Sequence, residues 1–121
     1  MIYWRTFYID AVELFTLAYK MEITLFVSPM TYATASYFLR KHRKEGLRKL
    51  LGNFRQLSQI TTADEKVVDA ALASSFEDYE DALQYYSALT RNVDVIVTRN
   101  KKDFTSANIP VLLPKELLEQ L

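Results

Sequence analysis

Apolar residues recur at helical spacing over residues 8–20, where Ala11, Leu14, Phe15 and Ala18 share one stripe. The period then changes. Ile23–Val27 is a short β-rich run closed by Ser28-Pro29; Ser28 can cap a helix and Pro29 suits its first position. The pattern therefore predicts a strand, then a helix from Pro29 to His42, a second helix from Lys44 to Phe54, and a strand over Gln56–Ile60. Thr62 with Glu65 three residues on forms a capping box that opens another helix. After a helix over Glu80–Thr90, the nearly continuous apolar run Val93–Val97 is the strongest strand signal, of the kind expected where both faces of a strand are covered. Ile109–Leu113 is the last predicted strand, and Pro114 opens a short helix that ends at Leu121.

Strands alternating with helices predict an α/β layer structure with a parallel sheet. The 121 residues, 50% of them hydrophobic, suffice for one core and are too few for two, so residues 1–121 are expected to form a single domain. The absence of cysteine excludes a disulfide scaffold, a thiolate zinc site and a cysteine nucleophile. No segment approaches the ~20 apolar residues of a membrane span, and we expect a soluble, cytoplasmic protein.

Net charge is zero, yet the charges are segregated. Between Arg40 and Arg55 lie Arg40, Lys41, Arg43, Lys44, Arg48, Lys49 and Arg55 against Glu45 alone, whereas from Asp64 to Asp81 seven acids face only Lys66. Such a division suits a protein that holds both a cation and a polyanion, and equally suits helices with solvated faces.

A crossover helix runs antiparallel to the strands it joins, so its N-terminus lies at the edge where the strands end. The helix start at Asp78–Asp81, the loop Thr98–Asp103 and the turn Ser28–Thr34 should therefore converge there, at the edge where open α/β sheets bind ligands. Glu77, Asp78, Glu80 and Asp81 crowd four acids into five positions, and a hard divalent ion, Mg²⁺ or Mn²⁺, fits Asp81 and Asp103 with water completing its shell. The same residues also suit an N-cap at Asp78 and a first turn favoured by the helix dipole. In the loop, Thr98 and Asn100 could orient Asp103, and Arg99 or the lysines could meet phosphate, although Asn100 and Asp103 are also ordinary turn formers. His42, the single histidine, falls at a helix end among cations, so a solvated position outweighs a catalytic one. Tyr32, Tyr37, Phe38, Tyr85 and Tyr86 could stack bases, but tyrosines at helical spacing more often pack inside. No glycine-rich phosphate loop is present.

The segments Asp78-Tyr-Glu-Asp-Ala-Leu-Gln-Tyr-Tyr-Ser-Ala88, Asp94-Val-Ile-Val-Thr-Arg-Asn-Lys-Lys-Asp-Phe104 and Ile109-Pro-Val-Leu112 resemble PIN domains in order and spacing. More loosely, Arg5-Thr-Phe-Tyr8 and Leu25-Phe-Val-Ser-Pro-Met-Thr31 look like the middle of the bacterial PIN subgroup that includes toxins of toxin–antitoxin pairs. The resemblance implies a three-layer fold, a parallel sheet flanked by helices, and a metal-dependent endoribonuclease using Mg²⁺ or Mn²⁺. Asp81 and Asp103 match the family's third and fourth acids, Asp78 is an auxiliary metal residue, and Thr98 and Asn100 match its supporting polar positions. A metal-activated water would attack the phosphodiester in line. Arg99, Lys44, Arg48 and Lys49 are the expected RNA contacts, and an antitoxin protein or a second copy the expected protein partners.

Two departures follow from the same resemblance. The family's first central strand, which ends in an Asp-Thr-Asn-like motif, is missing here, and Met1–Arg5 looks like the end of the following helix; we expect Met1 to be internal to a longer product carrying that aspartate. The family's helix glutamate corresponds to Thr34, which cannot supply a charge. Hydrolysis by this chain is therefore expected to be slow or nil, with a catalytically inactive RNA- or protein-binding module as the alternative.

Overall fold

Ser28 ends one strand and starts one helix, and its hydroxyl accepts the Thr31 amide at 3.2 Å. In this computed structural model, which describes residues 16–42, 46–98 and 101–121, that junction begins the alternation of strand and helix. A helical end at 16–19 leads through Met21, at φ 62, to β1 (Phe26–Val27). Then follow α1 (Pro29–His42), α2 (Leu47–Leu57), β2 (Gln59–Ile60), α3 (Glu65–Ala73), α4 (Tyr79–Leu89) and β3 (Ile96–Val97). A 3-10 turn (Lys101–Phe104), β4 (Val111–Leu112) and α5 (Pro114–Gln120) complete the chain.

β1 pairs with β2, and β3 with β4, both in parallel, with Val27 opposite Ile60 and Val97 opposite Leu112. Among the described residues these are two two-stranded sheets, not one four-stranded sheet, and each strand is two residues long where five were expected. The α/β class and parallel pairing agree with the sequence pattern. Apolar runs exceed the ladders because burial continues past hydrogen bonding: Leu25 is buried before β1 begins, although its carbonyl already accepts the Gln59 amide at 2.8 Å.

Side-chain alternation in β3 divides the core. Val97 joins Leu25, Val27 and Phe54, with Leu117 and Leu118 of α5 packed against them; Ile96 joins Tyr85 and Ala88 of α4 and Phe104. β3 is thus covered on both faces, as its apolar run implied. Burying Ile96 alone contributes roughly 1.5–3 kcal/mol.

Several boundaries differ from expectation, each for a visible reason. α3 starts at Glu65 with Asp64 as its N-cap, the Asp64 carboxylate accepting the Val67 amide at 3.1 Å. Thr62 is instead engaged with α4: its amide donates to the Thr90 hydroxyl and its carbonyl accepts from the Ser87 hydroxyl. α2 runs on to Leu57 and takes up Gln56, because the Ser58 hydroxyl bonds the Phe54 carbonyl at 2.9 Å and Arg55 closes on the Ser58 carbonyl at 2.9 Å. It opens at Gly46, whose φ of 75 favours glycine, rather than at Lys44, which lies outside the described residues. The helical reading of residues 8–15 also lies outside them.

Leu113 caps α5, its amide donating to the Glu116 carboxylate at 2.9 Å, and the Lys101 ammonium lies 3.1 Å from the same carboxylate. The Leu113 amide, and next the Lys101 ammonium, hold the Glu116 carboxyl below its usual range. A lowered carboxyl stabilises above its unfolded value and loses that contribution as pH falls through its folded value. Glu116→Gln is therefore expected to lower the melting temperature slightly at neutral pH and not at all in strong acid; equal losses at both would exclude this electrostatic origin.

Candidate functional site

α4 begins where the first strand pair ends. Asp78, exposed, is its N-cap and accepts the Asp81 amide at 3.0 Å. The capping role open to this residue is therefore real, and it fixes the first turn that carries Asp81. Asp81 itself is only 5% exposed. One turn on, the buried Gln84 accepts the Ser28 hydroxyl on Oε1 at 2.6 Å and donates from Nε2 to the Thr31 hydroxyl at 3.3 Å. These bonds join the middle of α4, one turn past Asp81, to the turn that opens α1.

The third segment expected to converge follows β3. Thr98, which follows the strand, is buried, and its amide donates to the Leu112 carbonyl at 2.9 Å. Asp103 lies exposed in the 3-10 turn, whose next residue, Phe104, is buried against Tyr85, Ala88 and Ile96. Phe104 thereby anchors the turn that presents Asp103. Lys101 and Lys102 in the same turn are both exposed, and Lys101 is paired with Glu116. Arg99, Asn100 and Lys44 lie outside the described residues.

Arg48 and Lys49 are exposed on α2, whose buried residue is Phe54. Thr34 is half-buried on α1. Tyr85 is a core residue: it is 2% exposed, and its hydroxyl accepts the Asn108 amide at 3.0 Å. Tyr32 bonds Ser58 and stacks at a tilt on Phe54 at 5.4 Å, while Tyr37 stays exposed. His42 is the last residue of α1.

By kind, carboxylate and hydroxyl oxygens suit a hard divalent cation. By number they fall short, because among the described residues no group of three or more Asp, Glu or His side chains gathers. A groove of about 370 Å³ lies elsewhere, lined by Ile23, Thr24, Val93, Asp94 and Val95, which precede β1 and β3, and by Leu117. It belongs to the opposite end of the strands from Asp81.

Gln84 and Ser87 were not singled out in the sequence. Their signal was present as polar residues three apart, continuing from Asp81 along a face otherwise built by Ala82, Tyr85 and Ala88.

Compared with known families, residues 4–102 match the family model described as the PIN domain. No curated protein and no solved structure matches the chain.

Proposed function

This chain belongs to the PIN domain family, whose members are generally nucleases, and on that premise we propose that it is an endoribonuclease of reduced hydrolytic power. The observation that carries the reading is the buried Asp81, set in the capped first turn of α4 and tied through Gln84 to the turn where β1 ends. Asp81 and Asp103 would hold Mg²⁺ or Mn²⁺, with Asp78 beside them and Thr98 and Asn100 supporting. When bound, the cation would supply an activated water and neutralise developing charge on phosphate. Thr34 supplies no charge where the family has a glutamate, which is why hydrolysis should be weak.

The chain's own cations take the polyanion. Arg48 and Lys49, exposed on α2, together with Lys44 and Arg99, would contact RNA phosphates. Replacing Lys44, Arg48 and Lys49 by Gln is expected to reduce the slope of log affinity against log salt by about 0.7 for each single-strand phosphate that is no longer neutralised. An unchanged slope for a single-stranded RNA would remove that surface from the reading.

The reading extends to a cytoplasmic toxin with an antitoxin protein as partner or a second copy of itself. It includes a three-layer fold in which a parallel sheet is flanked by helices; support comes from Leu25 and Val27 of the first strand pair packing in one cluster with Val97 of the second. Among the described residues no helix is long and apolar enough to cross a membrane.

A catalytically inactive module that binds RNA or a protein is the second reading, favoured by Thr34 and by the shortage of acids. Incubating labelled single-stranded RNA with the chain in EDTA, Mg²⁺ or Mn²⁺ separates the two. Cation-dependent scission supports the nuclease, and binding without scission under all three conditions supports the module.

A further inference from the structure

Asp81, Gln84 and Ser87 recur every three residues and so line one side of α4, and all three are buried. A polar seam thus runs along a helix face that could have been apolar. At its upper step, Gln84 bonds Ser28 and Thr31, whose hydroxyls also lie 3.2 Å apart. At its lower step, the Ser87 hydroxyl lies 2.6 Å from that of Thr61 and donates to the Thr62 carbonyl at 2.6 Å. Beyond the helix, Arg91 donates to the Ile60 carbonyl at 2.9 Å and to Gln59 Oε1 at 2.6 Å.

An apolar helix face can slide or rotate over its neighbours at small cost, whereas a face of directional donors and acceptors cannot. Any shift of α4 by one residue would take the buried Gln84 amide and the buried Ser87 hydroxyl away from their partners on neighbouring elements, which is disfavoured. The seam therefore sets the depth and rotation of the helix. Gln84 is its member nearest the acid, one turn from Asp81.

We propose that Gln84 is a positioning residue which, through Ser28 and Thr31, registers the first turn of α4 and so places the Asp81 carboxylate for a divalent cation. This rests on the nuclease reading above. Gln84 touches no reacting atom in this role; it acts through the position of Asp81.

The test is Mn²⁺ affinity, measured by calorimetric titration of the full chain, for the unmodified protein, Gln84→Leu, Ser28→Ala and the double variant. Each single variant is expected to bind Mn²⁺ on the order of tenfold more weakly, the size typical of losing a partner that orients a ligand. The double variant should be no weaker than the worse single one, because both break the same bond. Affinity unchanged in the single variants, with only the melting temperature in EDTA altered, would make the seam merely structural and overturn the proposal. Independent, additive losses would overturn it as well. If Gln84→Leu does not fold, Ser28→Ala, which removes a single oxygen, decides alone. An unmodified chain that binds no Mn²⁺ defeats the nuclease reading and this inference with it, whereas intact binding in every variant defeats the inference only.

Discussion

Phe104→Ala is expected to cost roughly 3–5 kcal/mol, the range for emptying a buried aromatic site. The ring is 3% exposed and meets Phe76 edge-on at 5.9 Å, within the cluster of Tyr85, Ala88 and Ile96. Against a typical domain stability of about 5–15 kcal/mol, this removes a large share. The melting temperature should fall by on the order of 10 °C or more. Because Phe104 anchors the 3-10 turn, the variant should also loosen Asp103 and weaken cation binding in whatever fraction remains folded. Asp103→Asn, at an exposed position, should change stability by no more than about 0.5 kcal/mol. Comparable losses from both changes would mean that Phe104 does not anchor the turn.

The second large effect concerns chemistry. Asp81→Asn keeps the shape of a buried side chain and removes its charge, so cation-dependent RNA scission should fall by more than about a hundredfold, beyond what losing a partner of a ligand produces. The fold in EDTA should survive, because the cap of the first turn is the Asp78 carboxylate and not that of Asp81. Measuring scission and the EDTA melting curve on the same preparation separates the two roles. A severe loss of stability without any change in scission would make Asp81 a structural acid.

Much of this arrangement was legible in the residues. Ser28-Pro29 and Pro114 marked helix starts that the structure reproduces, because a hydroxyl cap and a fixed φ act locally. That α4 packs beside the Ser28 turn accords with the antiparallel course of crossover helices, although the bond between them is made by Gln84, one turn past the Asp78–Asp81 segment that the sequence pointed to. What escaped depended on tertiary partners. Thr62 carries a good capping signature, yet its backbone is claimed by Thr90 and Ser87 twenty-five or more residues away, so Asp64 caps the helix. Gln56 and Leu57 sit in a β-like stretch, but the closure made by Arg55 and Ser58 keeps them helical. The seam of Gln84 and Ser87 was hidden because polar residues amid Ala82, Tyr85 and Ala88 look like the wet side of a helix until their partners just past β1, on α1 and just past β2 are known. Asp103 was placed on the correct loop, but its exposure depends on the neighbouring Phe104 turning inward, which no local pattern specifies.

The central claim is that Asp81 and Asp103 form a cation-dependent site, and the most direct measurement is a thermal melt in EDTA and then in millimolar Mn²⁺, for the unmodified chain and for Asp103→Asn. A ligand that binds only the folded state raises its melting temperature, so the expected result is a rise in Mn²⁺ that disappears in the variant. No rise in the unmodified chain, or an equal rise in both, would contradict the claim.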